Sequence, residues 1–240
     1  MDMSSTQPAP ADLFHDAFYK FVVIDDPDAL VTHLREVTAH LLGSVLVANE
    51  GINGMLAGAA PALDAFEATL TYDPRFPGPF AGMRFKRSPC TTRPFNKLKI
   101  HHKPEIVPLG IDGIDATCHT GINVSPAAWQ KLIHEDDVIV IDNRNSFEHR
   151  LGRFKNAINP QVANFRDFPN YVKDHIEDWK SQGKRVAMYC TGGIRCEKTS
   201  AWMLDLGLPV YQLEGGILNY FIEMPDAAAD WEGECFVFDN

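Results

Sequence analysis

The run Tyr189-Cys190-Thr191-Gly192-Gly193-Ile194-Arg195-Cys196-Glu197-Lys198 constrains this chain more than any other stretch. It follows the apolar pattern Arg185-Val186-Ala187-Met188 and leads into the helical pattern Thr199-Ser200-Ala201-Trp202-Met203-Leu204. A cysteine is thereby expected at the carboxyl end of a strand, on a glycine-containing loop, at the mouth of a helix. Two glycines let the backbone curl so that successive N–H groups converge on an anion. The helix N-terminus adds partial positive charge and Arg195 a full one. Both favour the thiolate, the reactive form of cysteine.

The flanking patterns give the architecture. In the second half, Asp137–Asp142, Val186–Tyr189 and Pro209–Leu213 read as strands, with a short one at Ala157–Asn159. Helical patterns alternate with them: one opened by Ser125-Pro126, one over Tyr171–Gln182, and one after the cysteine loop ending near Gly207. Continuous apolar strands alternating with helices predict an α/β fold, a parallel sheet with helices on both faces. Sites in such sheets lie at the carboxyl ends of strands.

The first half predicts strands at Phe18–Ile24, Ser44–Ala48, Met55–Ala57, Met83–Lys86 and Leu98–His101. Helices are expected from Asp25-Asp26-Pro27 to about Leu42 and over Pro61–Leu70. The order βαββαβ points to a smaller ferredoxin-like α+β domain. The expected boundaries are a disordered lead over 1–14, this domain over 15–103, a linker over 104–120, the parallel-sheet domain over 121–225, and the start of a C-terminal tail over 226–240.

Composition separates function classes. A hydrophobic fraction of 45% supports a substantial core, and no apolar run reaches the length of a membrane span. The first thirteen residues carry no Lys or Arg and no apolar block, unlike a signal peptide, so a cytoplasmic location is expected. Five cysteines without framework spacing argue against a secreted disulfide scaffold, and no metal motif or cofactor fingerprint is evident. No obligate protein partner is evident either.

The net charge of −10 conceals an asymmetry. Pro74–Pro104 contains no acid and eight basic residues, leaving −18 on the rest of the chain. They are Arg75, Arg84, Lys86, Arg87, Arg93, Lys97, Lys99 and Lys103. A basic segment in an acidic protein reads as a local anion-binding surface.

Cys-Thr-Gly-Gly-Ile-Arg, with Asp142-Asn143-Arg144 and Leu213-Glu214-Gly215-Gly216, resembles a rhodanese domain. In that family the loop cysteine carries a sulfane sulfur as a persulfide. Four residues separate Cys190 from Arg195. Related phosphatases have five, and Cys196 stands where their arginine would fall, which argues against phosphatase activity.

Asn49–Gly54, Phe85–Ser88, Lys103–Gly110 and Tyr189–Ala201 together are similar to the tRNA uridine hydroxylase family, over nearly the whole chain. The resemblance implies formation of 5-hydroxyuridine at the tRNA wobble position, with molecular oxygen as co-substrate, tRNA as partner and Cys190 as the catalytic cysteine. The chain departs from the family over Cys90–Phe95, and members continue into a cysteine-containing tail.

Thr191, Gly192, Gly193, Ile194 and Arg195 are expected to line the cradle, Arg195 alternatively serving as an ion-pair partner that holds the loop. Asp142 and Arg144 either orient the loop or form a structural salt bridge. Cys196 either resolves an oxidised Cys190 or packs the helix. Arg84, Lys86, Arg87, Arg93, Lys97, Lys99 and Lys103 are the expected tRNA contacts, with Phe85 and Phe95 available to stack on a base. The competing readings are a plain sulfurtransferase and a non-catalytic binding module.

Overall fold

In the computed structural model of the chain, residues 13–74, 79–90 and 94–234 are described. They form two compact units that divide at Ile106 and Val107, inside the expected linker.

The first unit contains β1 (Leu13–Phe21), α1 (Pro27–Val37), β2 (Leu42–Ala48), β3 (Gly51–Ala59), α2 (Ala60–Tyr72), β4 (Phe85–Cys90) and β5 (Leu98–His102). Its sheet runs β4-β1-β3-β2-β5. All neighbours are antiparallel except β2 and β5, which are parallel. This is the split βαβ arrangement with a strand added at one edge. Phe18, Val45, Val47, Ile52 and Leu56 from the sheet pack with Leu30, Leu34, Leu63 and Phe66 from the helices. Each such side chain contributes about 1.5–3 kcal/mol through burial.

Two expectations shift here. β1 begins at Leu13, because its nine residues pair with β3 from Leu13↔Ala59 to Phe21↔Gly51. α1 opens as expected, with the Asp26 carboxylate accepting from the Ala29 N–H at 2.9 Å and Pro27 in the first turn. It stops at Val37 rather than near Leu42. The Thr38 N–H and hydroxyl both turn back to the Leu34 carbonyl, and the Leu41 N–H closes on the Thr38 carbonyl at 2.8 Å.

The second unit contains β6 (Ile122–Val124), α3 (Pro126–Leu132), β7 (Val138–Asp142), α4 (Ser146–Leu151), β8 (Gly152–Phe154) and α5 (Phe168–Ser181). It continues with β9 (Arg185–Tyr189), α6 (Ile194–Asp205), β10 (Val210–Leu213), α7 (Gly216–Glu223) and β11 (Trp231–Gly233). The parallel sheet runs β6-β10-β9-β7. Side chains alternate faces along a strand, yet Val186, Ala187, Met188 and Tyr189 are all buried, so both faces of β9 are covered.

The expected strand at Ala157–Asn159 is only an isolated bridge, Ile141↔Ile158. Instead β8 pairs antiparallel with β11, placing Trp231 against Phe154 in the core, within the stretch expected to open a tail. No helix among the described residues is long and apolar enough to cross a membrane.

Candidate functional site

β7 and β9 end side by side, Asp142 paired with Tyr189, and the Asn143 N–H donates to the Tyr189 carbonyl at 2.9 Å. Cys190 is the next residue. The chain then turns through Gly193, whose φ of 108° lies where side chains are disfavoured, and enters α6. The Gly193 N–H points back at the Cys190 Sγ, 3.1 Å away. The strand–loop–helix geometry expected from the sequence is therefore present.

Cys190 is almost completely buried, at 1% exposure. Burial pushes its thiol up. Hydrogen bonds from the Cys196 thiol and N–H, the Arg195 charge and the Gly193 N–H outweigh that and hold it at about 5. Cys190 is thus a thiolate at neutral pH. Cys196 responds in the opposite sense: burial, and its hydrogen bond to the charged Cys190, push its own thiol well above the ordinary range.

Arg195 is fixed by a residue absent from the sequence reading. Glu148, on α4, accepts from Arg195 Nη1 at 2.8 Å and Nη2 at 2.9 Å, and the Thr191 hydroxyl reaches the same carboxylate at 3.3 Å. Burial raises the Glu148 pKa, but the Arg195 guanidinium more than offsets this and keeps it ionised. The other Glu148 oxygen contact is with the Asn145 N–H at 3.0 Å, part of a capping box that opens α4. The spacing Asn145-x-x-Glu148 was the signal available in the sequence. Arg195 therefore combines both roles left open for it: it is ion-paired and it stabilises the Cys190 charge.

Asp142 and Arg144 form a two-pronged salt bridge with both side chains fully buried, at 2.8 and 2.7 Å. Asp142 also accepts from the Tyr189 hydroxyl at 2.9 Å and lies 3.0 Å from His149 Nδ1. The bridge thus anchors the residue preceding Cys190. Asn143 donates to the Thr199 hydroxyl at 2.9 Å and lies 4.0 Å from the Cys196 sulfur.

The double glycine after β10 closes the loop from the other side. Ile217 N–H donates to the Cys190 carbonyl at 3.0 Å and Leu218 N–H to the Thr191 carbonyl at 3.2 Å. Gly216 has a φ of 69°, and a Cβ there would lie 2.5 Å from the Thr191 oxygen.

The basic segment is not one patch. Arg84 and Lys86 lie at β4, whereas Lys97, Lys99 and Lys103 lie at β5, the opposite edge of the five-stranded sheet. At ordinary strand spacing the edges are about 19 Å apart. Lys97, Lys99 and Lys103 are exposed, Lys99 alternating with the buried Ile100. Arg87, expected as a phosphate contact, grips the buried Asp16 at 2.9 and 3.0 Å, with Asp64 and Glu67 both at 2.6 Å. Phe85 packs its ring 5.4 Å from Phe18 and 6.1 Å from Phe66. Phe95 is half-buried, and Arg75 and Arg93 lie outside the described residues. Among the described residues no group of three or more His, Cys, Asp or Glu side chains is placed to hold a metal ion.

Residues 15–106 match the UPF0176 acylphosphatase like domain, and residues 125–223 match the Rhodanese-like domain. Among solved structures, a rhodanese-related protein from Thermoplasma volcanium is 26% identical, covering 43% of this chain and 93% of that one, with a TM-score of 0.32. The tRNA uridine(34) hydroxylase of Legionella pneumophila (strain Corby) is 42% identical over 234 residues, 95% of this chain and 89% of the relative. That of Teredinibacter turnerae is 44% identical over 227 residues, 93% of this chain and 69% of the relative. The chain belongs to the tRNA uridine(34) hydroxylase family.

Proposed function

We propose that this protein hydroxylates the wobble uridine of tRNA to 5-hydroxyuridine, with molecular oxygen as co-substrate and Cys190 as the reacting centre. The observation that carries this reading is the buried Cys190 thiolate, with the Gly193 N–H and Cys196 hydrogen-bonded to its sulfur and the Glu148-paired Arg195 supplying positive charge nearby. The relatives named above act, by their names, on uridine 34 of tRNA. A wobble base is presented in a single-stranded loop, so little energy is needed to bring it out of a stack.

The burial of Cys190 bears on how the sulfur acts. Its Sγ lies within a hydrogen bond of the Gly193 N–H, and the residue is almost completely buried. Direct attack at the uridine ring would require the base itself to reach that buried sulfur. This favours an oxidised or persulfide form of Cys190 as the working species over a direct adduct at C6 of the base. Oxygen insertion at C5 leaves the second oxygen atom to take two electrons, and the outer sulfur of a Cys190 persulfide supplies them by accepting that atom as an S–OH, which a thiol reductant then returns to the reduced state.

The test is nucleoside analysis of tRNA from a strain lacking the gene, complemented with wild type or Cys190→Ala. The expected outcome is loss of 5-hydroxyuridine-type nucleosides in the deletion, recovery with wild type and no recovery with the variant. Unchanged nucleosides in the deletion strain would sink the proposal. A second reading, sulfur transfer from thiosulfate through a Cys190 persulfide, is favoured by the match of residues 125–223 to the Rhodanese-like domain. A thiosulfate-to-cyanide assay with the purified protein separates it from the first.

A further inference from the structure

The loop holds two free thiols in one buried pocket of hydrogen bonds, and the hydroxylation reading needs only one of them. Cys196 is as buried as Cys190, at 1% exposure, in the first turn of α6. Its thiol and its N–H both donate to the Cys190 sulfur. On its other side lies Asn143 Nδ2, 4.0 Å from the Cys196 sulfur and held by Thr199 at 2.9 Å. Cys196 thus has polar neighbours in both Cys190 and Asn143, beyond the packing its burial gives it.

We infer that Cys190 and Cys196 form a two-cysteine redox centre, in which a hydroperoxide oxidises Cys190 and Cys196 captures the product as a disulfide. The inference rests on the loop geometry and is independent of the substrate proposed above. In the first step the Cys190 thiolate attacks the peroxide O–O bond. Sulfur is oxidised to the sulfenic acid Cys190–SOH, and the other oxygen takes up a proton and leaves as water from hydrogen peroxide or as an alcohol from an organic hydroperoxide. In the second step the Cys196 sulfur attacks the Cys190 sulfur. The S–O bond breaks, an S–S bond forms, and the Cys196 proton departs with the hydroxide as water. A dithiol reductant restores both thiols.

The electrostatics switch in the direction this sequence of steps requires. While Cys190 is a thiolate, its charge and its hydrogen bond are among the influences that keep Cys196 protonated and unreactive. Oxidation to the neutral sulfenic acid removes that charge, while the Arg195 guanidinium that favours a Cys196 thiolate stays in place. Oxidation of Cys190 therefore lifts the influence of its charge on Cys196, although burial, the largest one, stays. The consequence is protection: a low-pKa thiolate without a resolving partner proceeds to sulfinic acid, which is not readily reversed.

The full-length protein, fully reduced, is treated with limiting hydrogen peroxide and examined by intact mass and peptide mapping, alongside Cys196→Ser and Cys196→Ala. The expected wild-type product has lost two hydrogens, contains a Cys190–Cys196 cross-link, and returns to the starting mass with dithiothreitol. The Cys196 variants should instead gain oxygen at Cys190, trapped by dimedone at the sulfenic stage and otherwise advancing to sulfinic acid that dithiothreitol leaves unchanged. Circular dichroism establishes that the variants are folded. If the wild type forms sulfinic acid at Cys190 as fast as the variants do, the inference is overturned. It is equally overturned if the cross-link joins Cys90, Cys118 or Cys235 instead. Neither readout involves tRNA, so failure here and failure of the hydroxylation reading are separable.

Discussion

A cysteine withdrawn from water ordinarily holds its proton more tightly, so the Cys190 thiolate depends on its compensating neighbours. Three of the contributions come from backbone N–H groups and the Cys196 thiol, and one from the Arg195 charge. Replacing Arg195 by Gln should therefore raise the Cys190 midpoint above about 5, while the remaining donors keep it below that of an ordinary thiol. The ultraviolet thiolate absorbance, taken as the difference from Cys190→Ala, measures it. The sign follows from the depressed folded value. Ionised Cys190 contributes stability above the unfolded thiol range, about 8.5, and this is lost as pH falls through about 5. Arg195→Gln also leaves Glu148 buried without its cation, a cost of about 3–5 kcal/mol. Adding Glu148→Gln should recover most of that stability without returning the midpoint to about 5, which distinguishes the charge effect from a general loosening. Cys190 and Arg195 were legible because their chemistry depends on a local run of sequence. Glu148 was not, because it meets Thr191 and Arg195 of the loop from 43 and 47 residues away, and its local pattern announces a helix cap.

At the scale of elements, regular and well-capped segments were readable and tertiary ones were not. The strand before Cys190, the Ser125-Pro126 start of α3 and the alternation of strands with helices follow from local pattern, and the structure has them. β8 and β11, each three residues long, gain their definition from pairing with one another, as residues distant in sequence. α4 is six residues and α7 eight, too short for a periodicity to show. The two glycines before Ile217 open α7 against the cysteine loop. Gly216→Ala tests this. It places a Cβ 2.5 Å from the Thr191 oxygen and 2.6 Å from the Cys190 oxygen, both backbone atoms that cannot swing aside. A positive-φ strain of about 1–3 kcal/mol adds to that clash. The expected result is a lowered Tm with a disproportionate loss of tRNA hydroxylation, because the displaced atoms belong to the loop itself. Gly113→Ala, also at positive φ but with nothing within 4 Å of the added Cβ, supplies the control for strain alone.

For the whole molecule the governing fact is that a chain of net charge −10 is proposed to bind a polyanion. Its cationic groups must then act locally, within roughly a Debye length of the phosphates, about 8 Å at physiological salt. A basic run continuous in sequence suggests a single patch, but the fold sends its two ends to opposite edges of one sheet. A ferredoxin-like order places consecutive strands at distant positions, and this is why the linear charge map and the spatial one differ. Arg87 shows the same override at one position: it neutralises Asp16, a carboxylate with no exposed surface, so its substitution should lower stability before it lowers affinity. The exposed β5 edge makes the sharper prediction. Lys97→Ala, Lys99→Ala and Lys103→Ala combined should weaken tRNA binding and flatten its dependence on salt by about 2–3 in the slope of log K against log salt, if each lysine meets one phosphate. The melting temperature should stay nearly unchanged, since these side chains are exposed. Arg84→Ala with Lys86→Ala, at the β4 edge, reports separately on the other end of the run. A salt slope unaffected by the β5 triple variant but reduced by the β4 pair would place the RNA along β1 and β4 instead, leaving β5 an edge whose lysines serve only to keep it from pairing with other chains.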